Sequence, residues 1–224
     1  GVLKVGYLRF FLAVAVVVVH IGGVYGYRPL TGRVAVEIFF AISGYLMALV
    51  LTEKYEGGQV RAFFVSRVVR LYPSYLLSLV FAASVGVFLW EESSWMVHWR
   101  THGSELGITQ ILFLILSQVL IVGSELPLFL KATDGSWDFV FSTIDTSVWR
   151  YQLVPPAWSL SLEVIFYCIA PLVVRATTRS LVACVTGMVL LKVFVLWELD
   201  GSRGPFEYRF FPFEVAFFVA GMLA

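Results

Sequence analysis

Residues 7–25, YLRFFLAVAVVVVHIGGVY, decide the fold. The run is long and apolar enough to cross a bilayer, yet it carries Arg9 and His20. Ionisable groups at such depth are costly and mark function by default. The two lie 11 positions apart. At about 100° per residue they return to within roughly 20° of one direction, so one stripe of one helix carries both. The rise between them is about 16 Å, which sets a cation near one membrane face and an imidazole near the other.

The rest of the chain agrees with a membrane reading. Of the 224 residues, 59% are hydrophobic, and mean hydropathy is +0.86, well above soluble domains. A net charge of +1 leaves no basic face to neutralise nucleic-acid phosphates. Cys168 and Cys184 sit in apolar runs without a CxxC partner, so neither a disulfide framework nor a metal site is expected. Both read as small core hydrophobes. The first run exceeds a usual signal-peptide core and has no small-residue cleavage site after it, so it reads as a retained helix. The chain starts at Gly1 without Met and stops at Ala224 inside an apolar run, a pattern expected of a fragment.

Candidate spans are 6–25, 34–52, 71–90, 157–174, 181–199 and 211–224, while 108–122 is shorter and could span, tilt or re-enter. Gly22-Gly23, Pro29, Gly57-Gly58 and Pro155-Pro156 separate the runs. The expected architecture is all-α: a polytopic transmembrane helix bundle of about six to eight spans, forming one integral-membrane domain over 1–224. Lys54, Arg61, Arg67 and Arg70 outweigh Glu53 and Glu56 in the expected loop 53–70, whereas the short turn 26–33 carries only Arg28 and Arg33. The positive-inside rule then puts 53–70 and the N-terminus in the cytoplasm, with Arg175 and Arg179 as a second inside turn. The stretch 123–156 holds Glu125, Lys131, Asp134, Asp138, Asp145 and Arg150 with Trp137 and Trp149, and reads as a solvated surface connector.

Four motifs carry the candidate chemistry. His20 can take a proton from a hydroxyl and return it; the plain alternative is a histidine that caps a helix end or bonds a backbone carbonyl. Arg67 and Arg70, in SRVVRLYPSY, are spaced i, i+3, so two guanidinium forks share one face and suit phosphate. They could equally be topological anchors, and Tyr72-Pro73 is expected in the first turn of the next helix. Glu37 in VAVEIFFAISGYL either caps a helix or pairs with a cation, and Ser43-Gly44 lets another helix or a ligand approach closely, helix packing being the favoured reading. Glu163 in WSLSLEVIFY needs a partner within an apolar helix, to orient a histidine or to neutralise an arginine such as Arg9.

In order, LRFFLAVAVVVVH, VAVEIFFAISGYL, SRVVRLYPSY and WSLSLEVIFYCIAPL resemble the acyltransferase 3 family of polytopic membrane enzymes. The resemblance covers 5–80 and 155–175. It implies O-acyl transfer, commonly of acetyl, from cytoplasmic acyl-CoA to a hydroxyl of a carbohydrate, a lipid-linked glycan or another cell-envelope acceptor. It also implies a bacterial inner membrane location. Carried over by position, His20 resembles the family's essential histidine and Arg9 its companion. Arg67 and Arg70 resemble its donor-binding pair, and Glu163 its acidic residue. The donor would be acetyl-CoA or another acyl-CoA, with no metal and no nucleic acid. A rival is a polytopic transporter or lipid-linked sugar flippase, since intramembrane Arg, His and Glu also build ion pathways. No repeated broken helices support it. A second rival is a polytopic subunit that only packs against partners.

Overall fold

Thr31 starts the second helix because its hydroxyl accepts from the Val34 amide at 3.3 Å, closing an orphan donor at the helix entrance. From there Gly32–Glu53 runs 22 residues without a breaker. The computed structural model describes residues 2–22, 30–55, 59–93, 96–133, 135–140, 148–199 and 204–224. Gly23, Arg28, Pro29, Glu56, Gly57-Gly58, Asp134 and Asp145 lie outside the described residues. The helices are α1 (Val2–His20), α2 (Gly32–Glu53), α3 (Val60–Phe88), α4 (Val97–His102), α5 (Ile108–Leu120), α6 (Ala157–Val173), α7 (Thr178–Glu198) and α8 (Phe211–Met222). The all-α expectation holds apart from one antiparallel hairpin, β1 (Leu130–Thr133) and β2 (Ser136–Phe139), registered Lys131 to Asp138 and Ala132 to Trp137.

Among the described residues three helices, α2, α3 and α7, are long and apolar enough to cross a membrane. Helix α5, 13 residues long, rises only about 20 Å, short of the ~30 Å hydrocarbon layer. Helix α7 has no buried residue, and Leu190, Val193, Phe194 and Trp197 are exposed. Such a surface belongs in lipid. Cys168 and Cys184 are also exposed, so they are outward-facing thiols and not core residues.

The chain divides into two compact units. The first comprises Gly1–Glu56, Phe166–Val193 and Phe211–Ala224. Its core is the crossing of α2 and α8. A Cβ on Gly44 would overlap the Phe218 carbonyl, and one on Gly221 would overlap the Ala41 carbonyl, so each glycine admits the other helix's backbone. Ser43-Gly44 is thus a packing feature. Phe218 stacks on Phe40 at 4.6 Å and on Phe166 at 4.2 Å. Helix α1 meets α2 where Val19 lies 3.8 Å from a Cβ position on Gly32.

The second unit comprises Gly57–Ile165 and Phe194–Phe210. Here α3 begins at Val60, so the expected loop 53–70 is mostly helix, and Pro73 lies inside α3 and not in a first turn. VRAFFVSRVVR contains no breaker, so the helix forms as soon as the glycine pair has passed. Pro73 withholds a donor from the backbone, a cost of about 3 kcal/mol in a soluble helix interior but one that membrane helices tolerate. The serines of α3 satisfy themselves on their own backbone: Ser66 on Phe63 at 2.7 Å, Ser78 on Ser74 at 2.9 Å and Ser84 on Val80 at 2.8 Å.

The second unit buries neutral polar groups. Gln110 accepts from the Gly107 amide at 2.7 Å and donates to the Ser136 carbonyl at 2.6 Å, tying the start of α5 to β2. Tyr75 donates to the Gln118 carbonyl at 2.6 Å, and Tyr72 to the Leu120 carbonyl. Glu125 is buried and accepts from Ser161, whose oxygen accepts from the Gly123 amide at 3.0 Å. The stretch 123–156 is therefore partly a packed element. The bend after α5 places Ile121, fully buried, at φ 66°, a conformation a β-branched residue adopts only under compulsion.

Candidate active site

Helix α1 carries both Arg9 and His20, as their spacing requires. His20 is its last residue and is exposed. Its Nδ1 lies 2.7 Å from the Val16 carbonyl oxygen. A carbonyl can only accept, so Nδ1 is the donor and carries the proton. In the neutral ring Nε2 then holds the free lone pair, which is the tautomer a general base needs. The helix-end contact that could have been merely structural therefore also orients the ring.

Arg9 is half-buried, with its guanidinium carbon 6.0 Å from the Phe39 ring centroid on α2. The contact is a cation–π approach at its outer limit. Arg67 and Arg70 are both helical in α3, Arg67 half-buried and Arg70 exposed. Arg67 packs over the Phe63 ring at 5.5 Å and donates from Nε to Ser66 at 3.4 Å. Both contacts sit on its own helix and steer the side chain. Glu163 is half-buried in α6, one turn after Ser159. One apolar cluster gathers Leu71, Tyr72 and Tyr75 of α3 with Ala157, Leu160 and Val164 of α6, so the helical stretches bearing Arg70 and Glu163 are packed together. Arg9 and His20 belong to the first unit, and Arg67, Arg70 and Glu163 to the second.

Glu37 resolves as a partner of cations and not as a cap. Arg33 donates to it from Nε at 2.9 Å, and Lys192 Nζ lies 3.6 Å away. Lys192 in turn bonds Glu214 at 2.8 Å. Neither Lys192 nor Glu214 was anticipated. The signal was available, because each is a single charge within an apolar run, LLKVFV and FEVAFF, and meets the same criterion as Arg9. In the second unit, burial and the nearby Glu105 push the Tyr151 phenol above its ordinary range. It takes part in an aromatic packing with Trp99 and His98.

Comparison with known proteins agrees with the motif order. The family model described as an acyltransferase domain matches residues 2–224. Protein 2 in picA locus of Rhizobium radiobacter is 35% identical over 85 residues, which is 37% of this chain and 44% of that protein. The match thus spans less than half of that relative's length. No solved structure matches the chain. With membrane-length apolar helices, the four motifs in order and a family match over nearly every residue, the chain belongs to the acyltransferase 3 family.

Proposed function

We propose that this protein transfers an acyl group, acetyl by default, from acyl-CoA to a hydroxyl of a carbohydrate or other cell-envelope acceptor. The observation that carries this reading is the Nδ1 contact of His20 with the Val16 carbonyl, which leaves Nε2 as the basic nitrogen. In the proposed reaction Nε2 takes the acceptor's hydroxyl proton while the oxygen attacks the thioester carbonyl. The tetrahedral intermediate collapses with cleavage of the C–S bond, and the imidazolium returns its proton to the departing CoA thiolate. A positioned imidazole contributes roughly 10²–10⁴-fold.

Arg67 and Arg70 would hold the phosphorylated handle of CoA by charge-assisted hydrogen bonds. Arg9 and Glu163 are proposed as the charged companions of the site, with no metal taking part. The spans would number about six to eight, with α1, α6 and α8 counted beside α2, α3 and α7. The membrane is the bacterial inner membrane and the N-terminus is cytoplasmic, as the excess of basic residues over 53–70 favours.

The test is His20→Ala in the full-length protein, with ester-linked acetyl on envelope glycans as readout and membrane insertion measured alongside. Loss of at least a hundredfold with normal insertion is expected. Normal acceptor modification would overturn the reading. Replacing both Arg67 and Arg70 by Lys keeps the charge and loses the forks, so the apparent KM for acetyl-CoA should rise about tenfold. An unchanged KM would reduce the pair to anchors.

A further inference from the structure

The first unit holds a charged cluster that the proposed proton transfer does not use. Arg33 and Glu37 of α2, Lys192 of α7 and Glu214 of α8 form a chain of contacts at 2.9, 3.6 and 2.8 Å. Glu37 and Lys192 side chains are 13% and 12% exposed, and Glu214 is 0% exposed. Glu214 Oε2 is buried and has no hydrogen-bond partner among the described residues. An ionised carboxylate oxygen without a donor is costly in an apolar interior, so the orphan atom needs an account.

Its place supplies one. Val19 packs at Gly32, so the C-terminal end of α1, where His20 lies, adjoins the N-terminal end of α2. Glu37 lies five residues into α2 from Gly32, about 7–8 Å along the axis, roughly the width of a sugar ring. The cluster therefore sits at the histidine end of the α1–α2 pair. Its charge also selects a ligand. Two cations and two carboxylates sum to zero, which suits a neutral polyhydroxyl compound and offers nothing to a phosphate. Arg67 and Arg70, by contrast, form no ion pair among the described residues and suit an anion.

We propose that Glu214, with Lys192 and Glu37, is the seat for the neutral carbohydrate acceptor, Glu214 Oε2 accepting a hydrogen bond from a hydroxyl adjacent to the one acylated. This deepens the acyl-transfer reading and rests on it for the identity of the ligand as acceptor. Glu214 is a positioning residue: it holds the acceptor and takes no proton. The alternative is a staple that only ties α7 to α2 and α8, with the carboxylate also favoured by the first turn of α8.

The full-length protein, solubilised in detergent, is tested with a mixture of glucose, galactose, N-acetylglucosamine and rhamnose. A ligand that binds the folded state raises Tm, and sugars also stabilise generally as excluded osmolytes. The readout is therefore the difference between wild type and Glu214→Gln. A Tm rise larger in wild type by several degrees supports the seat, and equal rises overturn it. In the transfer assay, Glu214→Gln should raise the acceptor KM at least tenfold and leave the acetyl-CoA KM unchanged. Unchanged acceptor KM, or equal changes in both, overturns the seat while acyl transfer stands. A wild-type protein that shows the Tm difference but no transfer overturns the reaction and leaves a carbohydrate site. Should Glu214→Gln not fold, Glu214→Asp, which keeps the charge and withdraws the oxygen by one methylene, is read by the same criteria.

Discussion

The first unit buries charges that pair with one another, while the second buries amides, hydroxyls and a carboxylate, Glu125, held by Ser161. Across α2, α7 and α8 the polar contacts are ion pairs between helices, Glu37 with Lys192 and Lys192 with Glu214. In the second unit they are side-chain bonds to backbone, from Gln110, Gln118, Gln152, Tyr72 and Tyr75. The difference follows from what each unit has to hold. Regular helices offer few free backbone groups, so the polar contacts among α2, α7 and α8 are made by side chains, and in an apolar medium charged ones must be paired. The second unit contains the bend at Ile121, the hairpin and the turns around Pro127 and Tyr151, where the Leu120, Ser124 and Ser136 carbonyls and the Leu153 amide are met by side chains. Neutral side chains complete those groups one at a time.

Four substitutions would break or sharpen this contrast. The largest effect belongs to Gly44→Val, which drives a branched side chain into the Phe218 carbonyl. A loss above about 3 kcal/mol is expected, seen as failure to recover monodisperse protein in detergent. A normal yield would mean that α2 and α8 separate readily. Next is Lys192→Met, which strands Glu214 as an uncompensated buried carboxylate, at about 3–5 kcal/mol. Adding Glu214→Gln should recover most of that loss in Tm. A double variant no better than the single one would show that charge is not what this unit must balance. In the second unit Gln118→Leu removes the acceptor of the Leu153 amide, and an unpaired buried amide costs about 1–3 kcal/mol. A loss as large as that of Lys192→Met would erase the distinction between the units. The smallest is Tyr72→Phe, which deletes one bond to the Leu120 carbonyl, about 0.5–1.5 kcal/mol in thermal unfolding.

Legibility in the sequence followed the same divide. Arg9 and His20 fall on one helix because an 11-residue spacing is a property of any α-helix, whatever surrounds it. The Gly44 contact was readable as small-residue packing for a similar reason. The start of α3 was misplaced because the basic residues of 60–70 looked like loop, whereas a helix tolerates arginines that emerge at a membrane surface. Glu125 looked solvated, and only the fold supplies its Ser161 partner, 36 positions away. The hairpin 130–139 was hidden in a polar stretch whose short strands show no sustained alternation.

Local and compositional properties were thus settled by the amino-acid order: an apolar helical protein, its four motifs and the stripe that joins arginine to histidine. Each depends on residues within a few turns of one another, or on the totals that make water a poor solvent for the chain. Only the tertiary structure decided that Glu37 is held by Arg33 and Lys192, that Lys192 meets Glu214 and that one oxygen of Glu214 is left without a donor. Those facts turn on which helix lies beside which, and the energy of a buried charge is fixed by its neighbours in space and not by its neighbours in the chain.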